Sequence, residues 1–455
     1  MKITKHIFTV SVAALMAVNV TPTFASKQST ASHSAAQASL THLIELALDN
    51  DANRQQYFAQ SLAMRQTAIA SNTLMDPKLK LGIGGLPVDS FAFDDDPMTN
   101  ISIGLMQEFG RGSTLDLQQN KAEQQAESMV LQVSIRELDV ANSMTKLWLE
   151  LGYQQQAQRV LIENQRLMEE MERYVQTNYS IGRSEAQDLL NAQLQVSRLD
   201  EKLQSNSQMQ QRILSQLSEW LSANWLRQQT TLTATPVLEW EKLNRTLSHA
   251  IGTEFYALLM SHPMIKMADV QIMTNQTQVA ITEESYAPQF GVEVMYGYRQ
   301  ANGMGGAPAS DLLSAYLTMD IPLFTNNRQD RNHAAAQYKV VAAKSNKELL
   351  LSQMNAKVNA LLMDKNNLKQ RIERYESTLL TQAQLRTKAV ERGYQNNTAQ
   401  FNDVINAASD ELSLQLERWR LLTDLNIANS NLAYLLSAFD YQVTQPQLNH
   451  QQNNQ

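Results

Sequence analysis

Tyr179-Ser-Ile-Gly182-Arg-Ser-Glu-Ala-Gln-Asp188-Leu-Leu-Asn191-Ala192 has a counterpart later in the chain, Tyr394-Gln-Asn-Asn397-Thr-Ala-Gln-Phe-Asn-Asp403-Val-Ile-Asn406-Ala407. The spacing is the same in both: Tyr, then Gly182 or Asn397, then Asp, then Asn-Ala. Glycine and asparagine enter the left-handed backbone region at least cost, so each copy reads as a tight turn that ends one helix and starts the next. Two helical hairpins follow, and with them an internal duplication.

The flanks of both turns are long helical patterns. After Gly110-Arg111-Gly112 helical periodicity continues to about Thr177, with no Pro, a span on the order of 100 Å. Val130, Val133, Leu138, Ala141, Met144, Leu147 and Leu151 recur at threes and fours. A helix this long cannot bury itself in a globular core; it packs along other long helices as a coiled coil or bundle. A return helix is expected from Glu185 to about Leu221. In the second half the long helix is expected from about Arg328 to Arg392, and the last from the Tyr394–Asn397 turn to about Phe439. Earlier, one helix spans about Leu40 to Thr73, stopped by Asp76-Pro77. Another holds Leu247, Ala250 and Ile251, breaks at His262-Pro263, and is followed by a helix to about Ser285.

Between the helices the period drops to two. Leu79, Leu81, Ile83, Ile101, Ile103 and Leu105 fall on one face, with Lys78, Lys80, Ser102 and Gly104 on the other. Phe290, Val292, Val294, Tyr296 and Tyr298 alternate with Gln289, Gly291, Glu293 and Gly297, and Leu313, Ala315, Leu317, Met319 and Ile321 with Ser314, Thr318 and Asp320. Each pair is a β-hairpin, the first closed by an exposed Gly85–Met98 loop and the second by a Gly-rich one. Such hairpins suit either a half-buried sheet of a soluble domain or a barrel with lipid outside and a wet lumen. Four strands cannot close a barrel alone, since about eight is the small-barrel limit. Their open edges call for neighbouring subunits, which favours the lipid-facing reading.

Composition agrees. Of 455 residues 43% are hydrophobic and 18% charged, and the sparse Gly (15) and Pro (10) suit long uninterrupted helices. A net charge of −7 with no basic run argues against nucleic acid. Residues 1–25 read as a signal peptide: Lys2 and Lys5, an apolar Ile7–Val20 stretch, then Thr23-Phe24-Ala25. With no Cys there is no disulfide, thiolate metal site or lipid-bearing Cys. The expected organisation is a flexible segment 26–38, a first repeat 39–222, a connector 223–240, a second repeat 241–440 and a disordered tail 441–455.

The duplicated unit resembles the TolC-type outer-membrane efflux proteins over essentially the whole mature chain. The resemblance implies a homotrimer in outer-membrane lipid, with one 12-stranded β-barrel continued by an α-helical barrel through the periplasm. It also implies two partners, a periplasmic adaptor and an inner-membrane RND-type pump. Leu86-Pro-Val-Asp-Ser-Phe91, Asp96-Pro-Met-Thr99, Gln107-Glu108-Phe109 and Asp320-Ile-Pro-Leu-Phe324-Thr-Asn-Asn-Arg328-Gln-Asp-Arg331 resemble its heavy-metal branch. Drug efflux or type I protein secretion is the alternative within the class. A periplasmic coiled-coil adaptor or scaffold is the alternative outside it.

No catalytic, cofactor or metal constellation is legible. The seven His form no pair at metal-binding helical spacing, and Gly82-Ile-Gly-Gly85 does not lead a strand into a helix. Most of the twenty Met, such as Met168 and Met171, sit at core spacing; Met98 and Met304 do not. The working residues are therefore expected at the tips. Under the trimer, Asp188 and Asp403 would ring a pore mouth and attract cations, with Tyr179, Tyr394 and Asn406 narrowing it. The alternative for each Asp is a simple helix start. Ser180, Ile181, Gly182 and Arg183, with Gln395, Asn396, Asn397 and Thr398, are the expected adaptor contact.

Overall fold

The computed structural model describes residues 40–222, 232–248, 255–303, 305–396 and 398–446. The expected signal peptide 1–25, the segment 26–38, connector residues 223–231, Ala250, Ile251, Met304, Asn397 and residues 447–455 lie outside the described residues.

The first half begins with α1 (residues 40–50) and α2 (Ala52–Ser71). The single helix expected over Leu40–Thr73 is in fact two. Asp51 takes an extended backbone and its carboxylate accepts from Arg54 N at 2.6 Å, capping α2. That capping bond replaces the continuous helix ladder. Arg136 pairs with the same carboxylate at 2.6 Å, and Arg54 bonds Glu137 at 2.7 Å, so the buried charges at this break are matched. Strands β1 (Lys78–Gly84) and β2 (Asn100–Glu108) follow, then α3 (Thr114–Ser180) and α4 (Ala186–Leu217).

The second half has α5 (Glu241–Ser248), a short turn at Tyr256–Leu259, α6 (Pro263–Glu284), β3 (Gln289–Tyr298) and β4 (Leu312–Asp320). The helix expected as one piece to Arg392 is interrupted. It runs as α7 (Gln329–Arg374), a π turn (Tyr375–Leu379) and α8 (Leu380–Gln395), before α9 (Phe401–Leu435).

The four strands form one antiparallel sheet in the order β1-β2-β3-β4. Its register aligns the apolar residues in rows: Leu79, Leu105, Val294 and Ala315 in one, Leu81, Ile103, Tyr296 and Leu313 in the next. The face they make is uncovered, with Leu81 74% and Leu313 77% exposed. The opposite face carries cross-strand ion pairs, Lys78 with Glu108 at 3.0 Å and Lys80 with Glu293 at 2.6 Å. Arg111 pairs with Asp320 at the end of the same face. Among the described residues, strands β1 and β4 keep free outer edges.

The main core lies where the helices of both halves meet, around Leu48, Met144, Trp148, Leu217, Val358 and Leu432. The connector crosses α3 here. Gln155 donates to Leu232 O at 2.7 Å and accepts from Ala234 N at 2.9 Å, gripping it as a strand would. Asn426 of α9 accepts from Leu238 N and Trp240 Nε1. The stretch from Tyr441, expected as a disordered tail, is packed over its described residues 441–446. Tyr441 and Val443 pack on the core and Arg54 donates to Thr444 O, burial that outweighs the polar composition of residues 441–446.

His262 caps α6, its Nδ1 accepting from Met264 N at 3.2 Å, while Nε2 faces Tyr434 O at 3.2 Å. The ring is 1% exposed. Burial pushes its imidazole down to about 4 from an ordinary 6.5, partly offset by the Tyr434 carbonyl. A depressed histidine means that the unfolded chain takes up a proton that the folded chain refuses between those two values. Stability is therefore full above about 6.5, declines as the pH falls toward 4, and is lower by about 3 kcal/mol below it. The unfolding midpoint in detergent should fall across this window, and His262→Gln should flatten that part of the profile.

Candidate functional site at the hairpin tips

The first tip is a tight turn. Gly182 has φ +73° and donates to Tyr179 O at 3.0 Å, and Arg183 N donates to Asn178 O at 2.8 Å. Nothing lies within 4 Å of a Cβ built on Gly182, so glycine is needed there for its backbone angle and not for space. The second tip closes on Gly393, whose carbonyl accepts from Thr398 N at 2.7 Å and Thr398 Oγ1 at 3.0 Å. Ser180, Ile181, Gly182 and Arg183 are all exposed, as are Gln395, Asn396 and Thr398. Ile181, the residue that ends α3, is a large apolar side chain left 59% exposed in the turn.

The two copies of the motif do not share an environment. Tyr179 is 46% exposed. Tyr394 is half-buried and packs edge-on to Tyr174 with ring centres 6.1 Å apart, and on Phe401 at 5.5 Å. It belongs to a small cluster of Val175, Ala192, Phe401 and Ile405 that joins the two hairpins. Burial pushes the Tyr394 phenol up, the Ser184 hydroxyl pulls it partly back, and the Asp188 carboxylate pushes it up further. Tyr394 of the second hairpin therefore interacts with Ser184 and Asp188 of the first.

The aspartates also differ. Asp188 lies in the first turn of α4, half-buried, its carboxyl pushed up first by burial and then by the charge of Glu185. Asp403 lies in the first turn of α9 and is exposed. Its carboxylate accepts from Gln400 N at 3.2 Å, and the Gln400 side chain returns a bond to the backbone of Asp403, a reciprocal cap. Asn406 is exposed one turn further on. Sequence reading did not find Tyr174, Ser184 or Phe401 in this cluster. The one signal was Phe401, an aromatic residue at a helix start whose counterpart in the first copy is Ala186.

Exposed apolar side chains continue up the hairpins, among them Leu190 at 65%, Leu194 at 48% and Leu385 at 63% exposure. Among the described residues no three His, Asp or Glu side chains converge as a metal site would require. What the tips offer is a set of carboxylates and tyrosines beside an exposed apolar end.

No family model matches the chain, and no curated protein matches it. Solved structures do. The outer membrane protein VceC from Vibrio cholerae shares 15% identity at a TM-score of 0.69, covering 88% of this chain and 96% of that one. A membrane protein from Pseudomonas aeruginosa shares 15% at 0.72, covering 87% and 93%. The Campylobacter jejuni CmeC outer membrane channel shares 11% at 0.70, covering 88% and 85%. The chain has the fold of these three proteins. At such identities it is the fold that is shared.

Proposed function

We propose that the chain is the outer-membrane subunit of a tripartite efflux pump, a passive exit duct that catalyses nothing. Three copies pair β4 of one with β1 of the next and close a 12-stranded barrel, which their long helices continue into the periplasm. The observation that carries this reading is the sheet: one uncovered apolar face, one ion-paired polar face and two free edges. That is the inside-out arrangement expected of a wall between lipid and water. Lipid covers the apolar face, and neighbouring subunits satisfy the edges. The periplasmic adaptor meets the exposed tips around Ile181 and Thr398, and an inner-membrane RND-type pump supplies the energy. The fold shared with outer-membrane channels supports the same location, reached after cleavage of the signal peptide.

The tips form the closed mouth. The interaction of Tyr394 with Ser184 and Asp188 holds each inner hairpin against its outer neighbour, and Asp188 and Asp403 place six carboxylates around the trimer axis. Such a ring favours cations. Heavy-metal cations are the cargo this reading names, on the resemblance of the stretches 86–109 and 320–331 to the heavy-metal branch. Deletion of the gene should then sensitise cells to copper, silver, zinc or cobalt salts. Sensitivity to drugs alone would assign the duct to drug efflux.

The mouth is tested in planar bilayers. Tyr394→Ala should raise single-channel conductance severalfold by freeing the second tip, and Asp188→Asn should lower cation preference. Native conductance and selectivity in both variants would remove the tips from the gate.

A further inference from the structure

We propose that the π turn at Tyr375–Leu379 is the flexure at which the second hairpin bends away from the first. The proposal rests on the conduit reading above and adds to it where movement occurs. The turn is defined by Leu380 N donating to Tyr375 O, five residues back, where an α-helix would reach four. One extra residue is thereby accommodated, widening the helix and weakening its axial stacking. The counterpart helix of the first half, α3, runs from Thr114 to Ser180 with no such turn. The duplication therefore placed a flexure in one hairpin only.

Its position separates a firmly packed region from a loosely packed one. Just above, Arg420 of α9 makes a two-pronged pair with Glu150 of α3, both bonds 2.8 Å, and the main core follows through Val358 and Leu432. Below, among the described residues, the apolar contact of the second hairpin with the first is two small clusters, Leu161, Leu199 and Leu412, then Val175, Ala192, Phe401 and Ile405. At the level of the turn Glu376 accepts from Arg418 Nε at 2.9 Å and Nη2 at 2.6 Å, stapling the π turn to α9. Beside the turn a shallow groove lies between the π turn and α9, lined by Ile372, Glu373, Ser377, Leu422 and Leu425, so the two helices of the second hairpin are not closely packed at this level. The 16 residues of α8 below the turn form a lever of about 24 Å, so a bend of about 10° carries the tip about 4 Å. That displacement is enough to lift Tyr394 off Ser184 and Asp188.

The chain has no Cys, so Gln193→Cys and Lys388→Cys, both at exposed positions near the tips, report the distance between the hairpins through spin labels. The labelled chain is diluted into unlabelled chain. In a Tyr394→Ala background the distance distribution should gain a longer component. Deleting Thr378, which restores an α turn and keeps both flanks in register, should abolish that component, and Glu376→Gln should enlarge it. A longer component undiminished by the deletion overturns the proposal. If the deletion variant does not fold, Glu376→Gln decides alone: an unchanged distribution overturns the proposal and an enlarged longer component supports it. The conduit reading fails separately, if the native protein passes no current in a bilayer.

Discussion

A chain carrying Leu81→Arg and Ile103→Arg is expected to lose outer-membrane insertion and accumulate as aggregate. The two residues face one another across β1 and β2 on the uncovered apolar face. Each arginine facing the middle of a bilayer costs about 2–4 kcal/mol, and two on adjacent strands consume a large part of a typical net stability. Ser102→Arg is the control. It lies one residue away on the same strand but on the polar face, pairing with Gly82, where a charge meets water and insertion should proceed as in the native chain. Detergent extraction of the membrane fraction reads both. Equal insertion of the double variant would show that this face does not meet lipid.

Gly152→Ala should destabilise the fold through a contact invisible along the helix itself. A Cβ at Gly152 would stand 2.4 Å from Thr235 C and 2.5 Å from Pro236 N, backbone atoms with no side-chain freedom to yield. In an exposed helix the same change would gain about 1 kcal/mol, because glycine is a poor helix former. Here the connector must lift off α3, straining the grip of Gln155 on Leu232 and Ala234. Overpacking of this kind costs roughly 1–3 kcal/mol. The variant should show a lower unfolding midpoint and faster proteolysis of the connector. A raised midpoint would mean that the connector does not press on α3 in solution.

Much of the fold was legible from local pattern. The alternation of Leu79, Leu81 and Ile83 with lysines, and the threes and fours from Val133 to Leu151, report which face of each element is apolar. A strand repeats every two residues and a helix every 3.6, whatever lies around them. The repeated tip motif located both hairpin turns, because φ above zero at Gly182 is a local demand. The helix break at Asp51, the π turn and the ordered stretch 441–446 were not legible. Each is tied to partners far along the chain, Arg136 for Asp51, Arg418 for Glu376 and Arg54 for Thr444, which local pattern does not report.

The tips show the same division. Two identically spaced motifs made Tyr179 and Tyr394 equivalent on paper, as they did Asp188 and Asp403. Sequence by itself determined the strands, the two hairpin turns, most helices, their order and their apolar faces, since these follow from short-range periodicity and turn chemistry. Only the tertiary structure decided that Tyr394 is half-buried between the hairpins while Tyr179 is exposed, and that Asp188 is desolvated while Asp403 caps its own helix. The reason is that burial belongs to the neighbours a residue acquires on folding, and a duplicated chain packs its two halves against each other from opposite sides.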